Sequence, residues 1–354
     1  MSTARQAPTM VRVDVQELTG YLIALYRYAG TSPAHARIIA RSQVEADLRG
    51  VTTHGSRLAP GYVAKLRAGA LNPRPRMTVL ADSAAALALD ADRAPGPVAA
   101  CTAIDAAMRR ARTAGVAVVT ARNAGHAGAL GVYTARAAQR GLIGLLAAQT
   151  SAASVALRGG TRPLLGNCAL SIAVPGPNQR EPVLLDMALG ALSWGAVKQR
   201  RADHRLLPAD GALDVHGAAT RDPHRAAMLL SFGGLRGQAL AIVVELLAGA
   251  LTGSSPLPSD MEGRGLLCLA ICPDHLALGD RLPAGVATLA HAVRGHTSSA
   301  TTRMPGDRSW AQRATSLTDG IILDRADVQA LITAGHPATP APPSWSRTTA
   351  AART

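Results

Sequence analysis

One histidine lies in a short segment that also carries a hydroxyl, a guanidinium and a phenol. Within residues 49–62 these groups belong to Thr53, His54, Arg57 and Tyr62. An imidazole titrates near neutral pH, so it can give a proton to a carbonyl oxygen or remove one from a hydroxyl. A guanidinium binds a carboxylate through two parallel hydrogen bonds. The segment therefore predicts a site for a small carboxylic acid; the alternative is a surface turn whose histidine caps the preceding helix.

A second histidine, His126, lies between two glycines in the sequence Ala-Gly-His-Ala-Gly at residues 124–128. The apolar run at 115–120 comes shortly before it and is typical of a strand buried on both faces of a parallel sheet. Loops that follow the carboxyl ends of such strands hold the active sites of α/β proteins. We expect His126 to face a ligand there, and the alternative is a solvated loop histidine.

Two further segments are suited to binding a nucleotide. Asp186 ends an apolar strand, where its carboxylate can accept a hydrogen bond from a ribose, orient a histidine or simply cap a helix. Gly233, Gly234 and Arg236 precede an apolar helix, and a cation beside a helix N-terminus suits a phosphate. A tight turn with an exposed arginine is the alternative there. The Rossmann glycine fingerprint and the phosphate-binding loop are both absent, so a dinucleotide must bind by another route.

The elements that position these segments alternate between helix and strand. Asp14 predicts the start of a helix that runs to about Tyr28, because a glutamate three residues later completes a capping box. A serine–proline pair at 32–33 predicts a second helix, to about Leu48. Beyond residue 85, apolar runs of strand length alternate with helical stretches. These patterns predict a three-layer α/β protein with a helical N-terminal arm.

Composition argues against other classes of protein. The formal net charge is +14, but almost all of the positive charge is arginine scattered through helices, and aromatic residues make up only 3%. A surface that stacks nucleic-acid bases needs aromatic side chains among its basic residues, so we expect no nucleic-acid partner. There is no uncharged apolar run of about 18 residues and no apolar signal core near the N-terminus, which predicts a cytoplasmic protein without a membrane span.

The four cysteines are interpreted as buried free thiols in a reducing compartment. Cys268, Cys272 and His275 lie close together in the sequence, so a metal cluster has to be considered. Their spacing along a predicted strand does not match a zinc site, and no fourth ligand is near in the sequence. We therefore predict no metal.

Six blocks along residues 14–335 resemble, in this order, the malate/L-lactate dehydrogenase family, which includes sulfolactate, ureidoglycolate and 2,3-diketogulonate oxidoreductases. The blocks are Ala46-Asp47-Leu48-Arg49-Gly50 with Thr53-His54-Gly55 and Tyr62, Gly125-His126-x-Gly128, Asp186-Met187-Ala188, Gly217-x4-Asp222-Pro223, Gly233-Gly234-x-Arg236-Gly237 and Met304-Pro305-Gly306. The resemblance implies a non-Rossmann α/β/α fold, usually in a homodimer, with the active site between domains. It also implies hydride transfer between NAD or NADP and a small 2-oxo or 2-hydroxy carboxylic acid.

The resemblance extends to individual residues. His126 lies where the family has its catalytic imidazole, and His54 lies where it has a second candidate acid or base. Thr53 and Tyr62 match positions that contact the substrate. The positions that match contacts to the nicotinamide nucleotide are Thr150, Asp186, Met187, Ala188, Arg236, Gly306 and Asp307.

The sequence departs from the family pattern at several of these blocks. The usual arginine four residues after the His54 position is Leu58 here, and Arg57 comes one residue earlier. One residue rotates a helical side chain by about 100°, so Arg57 binds a substrate carboxylate only if the local backbone differs. Cys168 takes the place of the asparagine in the usual Gly-Thr-Asn-Pro. Two alternatives therefore stay open: a reductase of a cyclic ketimine acid, and a non-catalytic homologue that binds a nucleotide.

The expected division of the chain follows from these assignments. Residues 1–10 and 337–354 lack apolar periodicity and are expected to be disordered. Residues 11–80 form an N-terminal helical segment that carries the substrate site, and residues 81–260 form the nicotinamide-nucleotide-binding α/β domain. Residues 261–336 form a C-terminal α/β segment that completes the N-terminal domain.

Overall fold

The computed structural model describes residues 10–258, 264–296, 302–335, 339–340 and 342–346. The α-helices are α1 (Val15–Tyr28), α2 (Pro33–Leu48), α3 (Ala59–Arg67), α4 (Gly96–Ala114), α5 (Gly131–Ala138), α6 (Trp194–Ala202), α7 (Gly234–Ala248), α8 (Arg281–Gly295), α9 (Asp307–Asp319) and α10 (Arg325–Gly335). The strands are β1 (Met10–Val13), β2 (Thr78–Asp82), β3 (Ala86–Asp90), β4 (Val116–Ala124), β5 (Ile143–Ala148), β6 (Ala153–Ala156), β7 (Pro163–Gly166), β8 (Ala169–Val174), β9 (Val183–Ala188), β10 (Ala212–Leu213), β11 (Ala219–Thr220), β12 (Met228–Leu230), β13 (Arg264–Ile271) and β14 (Ile321–Asp324).

The chain divides into two compact units, of which unit 1 is drawn from Met1–Pro75 and Gly306–Thr354 and unit 2 from Arg76–Pro305. The boundaries fall at different residues from those expected from the sequence. We assigned residues 261–336 to the N-terminal domain, whereas β13 lies in the sheet of unit 2, between β4 and β5. Only the part that follows residue 305 belongs to unit 1.

Unit 1 is a helical unit closed by one pair of strands. Both predicted N-terminal helices are present, because Asp14 accepts hydrogen bonds from the first turn of α1 and Ser32 accepts one from the first turn of α2. Strands β1 and β14 pair antiparallel, which places the fully buried Val11 opposite Leu323. Residue 10, expected to be disordered, begins β1, and residues 1–9 lie outside the described part of the chain.

The C-terminal tail is ordered in part. Trp345, within the stretch 337–354 that we expected to be disordered, is buried and its ring centroid lies 4.7 Å from that of Tyr21. Burial of a large aromatic ring supplies enough apolar contact to fix a short segment that has no periodic pattern of its own. The rest of the expectation for this tail falls largely outside the described residues.

Unit 2 has helices on both faces of a seven-stranded sheet with the order β2-β3-β4-β13-β5-β8-β9. Gly144 of β5 faces Ala137 of α5. Ala147, three residues further along β5, points to the opposite face of the sheet from Gly144, because side chains alternate along a strand. There it packs in one buried cluster with Ala241 and Val244 of α7. The expected three-layer α/β/α arrangement is confirmed. A second sheet, of five short strands, has the order β11-β10-β12-β6-β7.

One helical stretch of unit 2, Gly234–Thr252, is long and apolar enough to cross a membrane by length and composition, with a mean hydropathy of 1.5. The helix carries the charged residues Arg236 and Glu245, and Glu245 is buried in the interior of unit 2. One face of α7 packs against the sheet, as a core helix does, while its other face is apolar and exposed.

Candidate active site

One edge of the large sheet in unit 2 collects most of the predicted cofactor positions. A single cross-strand row joins Ala121, Leu266, Ala148, Ala169 and Ala188. Strands β4 and β5 are both antiparallel to β13, and β9 runs in the same direction as β5, so the carboxyl ends of β4, β5 and β9 meet at this edge. The loop with His126, the segment with Thr150 and the end of β9 therefore lie together, where α/β proteins bind their ligands.

The His126 loop is held by backbone contacts on both sides. The Gly125 N–H donates to the Ala94 carbonyl at 2.8 Å, and the Tyr133 hydroxyl donates to the Ala127 carbonyl at 2.6 Å. Gly96, at the start of α4, lies directly against the loop, since a Cβ there would be 2.2 Å from the His126 carbonyl carbon. His126 itself is half-buried. Sequence reasoning missed Gly96 and Tyr133 because both act on the loop from other elements.

Asp186 caps the helix that follows the His126 loop. Its Oδ2 accepts a hydrogen bond from the Gly131 N–H, the first residue of α5, at 2.8 Å. Helix capping was one of the three roles that the sequence left open for this carboxylate, and the contact favours it. Asp186 therefore connects the end of β9 to the loop that carries His126.

Thr150 lies beside a buried polar network that the sequence did not predict. The Cys168 thiol donates to Glu245 Oε2 at 2.7 Å, and Gln149 Nε2 donates to Glu245 Oε1 at 2.7 Å and to the Ser255 carbonyl at 2.8 Å. Burial and the Glu245 carboxylate raise the pKa of the Cys168 thiol far above its ordinary value, so the thiol stays protonated and donates. The network fixes the chain immediately before Thr150.

The turn with Arg236 is connected to the same edge of the sheet. Gly233 and Gly234 both have positive φ, which turns the chain into α7. Just before them, the Phe232 N–H donates to the Leu189 carbonyl at 3.1 Å, one residue beyond β9. Arg236 is exposed on the first turn of α7. The predicted positions Thr150, Asp186 to Ala188 and Arg236 are thus joined by β-ladders and hydrogen bonds within unit 2.

In unit 1, the turn that carries His54 is built on a buried carboxylate. Asp47 is 2% exposed, and its Oδ2 accepts a hydrogen bond from the Ser56 N–H at 2.8 Å. Gly55 has no side chain because a Cβ there would lie 1.7 Å from Asp47 Oδ1. That Oδ1 is buried and has no hydrogen-bond partner in the structure. The sequence block around Asp47 contains the signal, an acid next to the last residue of a helix, but the role of this acid depends on the fold of the turn.

The side chains on this turn are arranged as follows. Thr53 Oγ1 lies 2.9 Å from His54 Nδ1, and burial lowers the pKa of His54, which favours the neutral ring. Tyr62 is buried on α3. Arg57 is half-exposed, with its Nε 3.7 Å from Asp327 Oδ2 on α10, a long contact for an ion pair. The guanidinium is therefore only loosely held.

Gly306 and Asp307 belong to unit 1. Gly306 has a φ of +98° and precedes α9, and Asp307 is the first residue of that helix. The Gly306 carbonyl accepts the Trp310 N–H at 2.9 Å. These two predicted positions therefore form a helix start, and the other predicted cofactor positions lie in unit 2.

Asp47 makes the stability of the chain depend on pH. The pKa of Asp47 is raised to about 7. Burial is the largest cause and Asp327 also raises the pKa, whereas the Ser56 hydrogen bonds and Arg57 lower it. The fold thus binds a proton that the unfolded chain, with a pKa of about 3.9, releases as pH rises from about 4 to 7. We expect the free energy of unfolding of wild type, relative to Asp47→Asn, to fall by roughly 2–4 kcal/mol between pH 4.5 and 7.5.

Urea unfolding at the two pH values measures this difference. Asp319→Asn, at an exposed position of unit 1, is the control and should keep the pH dependence of wild type. An Asp47→Asn variant whose stability changes with pH as wild type does would show that this carboxyl does not titrate in the range.

The family model for malate/L-lactate dehydrogenase matches residues 13–332. The chain belongs to this family. A Δ1-pyrroline-2-carboxylate/Δ1-piperideine-2-carboxylate reductase of Pseudomonas putida is 30% identical over 341 residues, 93% of this chain and 98% of the relative. An L-sulfolactate dehydrogenase of Methanothermobacter thermautotrophicus is 31% identical, over 81% of this chain and 85% of the relative. The solved sulfolactate dehydrogenase of Methanocaldococcus jannaschii aligns with a TM-score of 0.84 at 26% identity, covering 92% of this chain and 96% of that one.

Membership of the malate/L-lactate dehydrogenase family confirms the resemblance seen in the sequence blocks. The family and its named members, among them the L-sulfolactate dehydrogenase and an NAD(+)-dependent ureidoglycolate dehydrogenase of Escherichia coli O157:H7, are oxidoreductases, so the chain is an oxidoreductase of this family. The fold explains why the Rossmann fingerprint is missing, because the strand order and the antiparallel β13 differ from a doubly wound parallel sheet.

Proposed function

We propose that this chain interconverts a small 2-oxo acid and the corresponding 2-hydroxy acid, with His126 as the residue that exchanges a proton with the substrate oxygen. The observation that carries the proposal is the sheet edge of unit 2, where the His126 loop, Thr150 and the end of β9 lie together. His54 is the second candidate for the proton transfer.

A histidine suits both directions of this reaction. In reduction the protonated ring gives a proton to the forming alkoxide, and in oxidation the neutral ring removes the hydroxyl proton. Burial holds His54 toward its neutral form, which suits the oxidation direction for that residue. Thr53 lies within hydrogen-bond distance of His54 Nδ1, so it orients the ring.

The substrate is proposed to be a small carboxylic acid bound by Thr53, Arg57 and Tyr62. Arg57 keeps an exposed guanidinium and only a long contact to Asp327, so it has donors left for a carboxylate. Because Arg57 comes one residue before Leu58, its guanidinium approaches the substrate carboxylate from a different direction than an arginine at position 58 would. An assay with different acids has to identify the substrate.

The residues proposed to hold NAD or NADP suit a dinucleotide. Thr150 follows the carboxyl end of β5 at this sheet edge, and its buried hydroxyl has no hydrogen-bond partner among the described residues. Arg236, exposed at the start of α7, suits a phosphate. Asp186, Met187 and Ala188 follow the same sheet edge, and Gly306 with Asp307 complete the proposed set. When bound, the nicotinamide supplies or accepts the hydride.

The resemblance also implies a cytoplasmic homodimer, with neither a nucleic-acid nor a membrane partner, and we propose the same for this chain. The exposed apolar face of α7 supports the dimer: Leu235 is 67% and Leu246 is 51% exposed. Contiguous apolar surface of this kind marks association sites. Sedimentation that gives the mass of a single chain at micromolar concentration would contradict it.

The test of the proposed function is oxidation of NADH and NADPH against a panel of 2-oxo acids, with the reverse reaction on the matching 2-hydroxy acids. We expect turnover with at least one acid that has a single small side group, at kcat/KM in the range of about 10⁴ M⁻¹s⁻¹ or more. Thermal stabilisation by either cofactor without turnover on any substrate would favour the non-catalytic alternative.

A cyclic ketimine acid is the second candidate substrate. It is favoured by Leu58 at the position of the usual arginine, and one of the relatives, at 30% identity, is a reductase of this kind. The panel therefore includes Δ1-pyrroline-2-carboxylate and Δ1-piperideine-2-carboxylate. Activity on these imines and none on pyruvate-like acids would decide for the second candidate.

A further inference from the structure

Unit 1 contains a cavity of about 440 Å³ that the proposed reaction does not use. It is lined by residues from the end of α1, the start of α2 and the segment after α3, among them Arg27, Thr31, His35 and Arg74. The first residues of α2, which line the cavity, lie about 20 Å along the helix axis from Asp47 at the other end of α2. The cavity is therefore distinct from the turn that carries His54. Its size is that of a pocket for a small molecule.

The cavity is basic. Two guanidiniums, Arg27 and Arg74, line it, and the described residues that line it include no carboxylate. Among the described residues, other arginines such as Arg122 and Arg225 pair with aspartates at 2.9 and 2.7 Å. Arg27 and Arg74 have no such pair in the part of the chain that the structure describes. Two guanidiniums that line one cavity without a counter-charge are suited to an oxyanion.

One wall of the cavity, at Arg74, is held in place before any ligand binds. Arg74 lies between two prolines, and its Nε donates to the Gly30 carbonyl at 3.2 Å while its N–H donates to Asn72 Oδ1 at 2.9 Å. These bonds fix the stem of the side chain and leave its terminal nitrogens for a ligand. A site that needs little ordering binds more tightly.

His35 adds a polar atom without a partner. Its Nδ1 is buried and makes no hydrogen bond to the described residues. The backbone N–H groups at the start of α2 contribute less to anion binding, because the His35 N–H already donates to Ser32 Oγ at 3.1 Å. An anion site here therefore depends on the two arginines and the His35 imidazole. A ligand that bonds to His35 Nδ1 would explain why this buried nitrogen has no partner.

We propose that this cavity binds a phosphate group, either free phosphate or that of a small phosphorylated molecule. The two arginines balance the negative charge with bidentate hydrogen bonds. The other ring nitrogen of His35 donates to the Pro73 carbonyl, so Nδ1 is the acceptor and takes a hydrogen bond from a P–OH group of a singly protonated phosphate. Because the cavity exceeds the volume of one phosphate, it has room for a small organic group as well. The proposal is independent of the proposed reaction.

Titration calorimetry and thermal unfolding with inorganic phosphate, glycerol 3-phosphate and malonate, at constant ionic strength in chloride, test it. We expect phosphate or glycerol 3-phosphate to bind wild type and raise its Tm, with Kd weakened at least tenfold in Arg27→Gln and in Arg74→Gln. Arg41→Gln, exposed on α2 and outside the cavity, should bind as wild type does. All three variants should keep the kcat of wild type in phosphate-free buffer.

Each result bears on the site. Binding of glycerol 3-phosphate without free phosphate assigns a phosphorylated molecule, and binding of free phosphate alone assigns phosphate itself. Equal binding to wild type, Arg27→Gln and Arg74→Gln would mean that the net positive charge attracts the anion without a site, and it would overturn the proposal. Absence of binding, or a preference for malonate over both phosphates, would overturn it too.

Discussion

Replacement of His126 by alanine is expected to lower kcat/KM on the best substrate by about 10²–10⁴-fold, the usual contribution of a positioned acid or base. The loop itself should persist, because its Gly125 and Ala127 backbone contacts do not involve the imidazole. The Kd of the cofactor should therefore stay within about threefold of wild type, which separates loss of proton transfer from loss of binding.

The same substitution at His54 determines which imidazole exchanges the proton. If His126 does so, His54→Ala should lose less turnover and show its effect mainly in KM. The control is His291→Ala, an exposed histidine on α8, which should behave as wild type. Stopped-flow single turnovers and steady-state pH profiles give the measurement. Near wild-type turnover in both His126→Ala and His54→Ala would contradict the assignment of either residue to the chemistry.

Gly96→Ala is expected to damage activity almost as severely without touching a reacting group. The new Cβ would lie 2.2 Å from the carbonyl carbon and oxygen of His126 and 2.4 Å from the Gly125 oxygen. Folded proteins do not hold a Cβ so close to backbone, so the His126 loop must move by about 1 Å. A displacement of that size at a reacting group can cost about 10²-fold in rate.

The control for this prediction is Gly20→Ala in the middle of α1, where a Cβ meets no atom within 4 Å. That variant should gain about 0.5–1 kcal/mol of stability and keep its kcat, because alanine reduces the entropy of the unfolded chain. Circular dichroism and Tm establish that Gly96→Ala is folded at the assay temperature. A folded Gly96→Ala enzyme with the kcat of wild type would show that α4 does not position the loop.

The helices that the sequence predicted correctly begin at residues whose signal is local. Asp14 and Ser32 cap α1 and α2 through hydrogen bonds within three residues, so a reading of neighbouring residues suffices. The strand before the His126 loop was also predicted from its continuous apolar run, but the parallel sheet predicted around it is wrong, because β4 runs parallel to β3 and antiparallel to β13. Periodicity and capping depend on chemistry inside one element, and for that reason they can be predicted from one sequence.

The features that the sequence did not predict depend on contacts between distant residues. Cys168 and Glu245 are 77 residues apart, and no pattern near either of them indicates their hydrogen bond. The domain boundary at 305 depends on β13, an apolar strand whose sequence does not state which strands it pairs with. The dependence of the His54 turn on Asp47 needs the close approach of Gly55, which only the folded turn displays.

The candidate site lies between these cases. His126, His54 and the nucleotide positions were predicted by matching six ordered blocks to a family, which gives identities but no distances. The structure adds the backbone contacts that hold the His126 loop and the helix-capping role of Asp186. It leaves Arg57 at a long contact, which could not be deduced from its position in the sequence.

The pairing of β1 with β14 sets an order of events during synthesis. Met10 is opposite Asp324, so this pair cannot form until residue 324 has left the ribosome. Unit 2, which is one continuous segment, can collapse while unit 1 still waits for its second half. Helices α1 and α2 can pack against each other early, but their surfaces that contact α9 and α10 stay exposed for tens of seconds at about 5–20 residues per second. A chaperone that binds amphipathic helices would have its substrate in this interval.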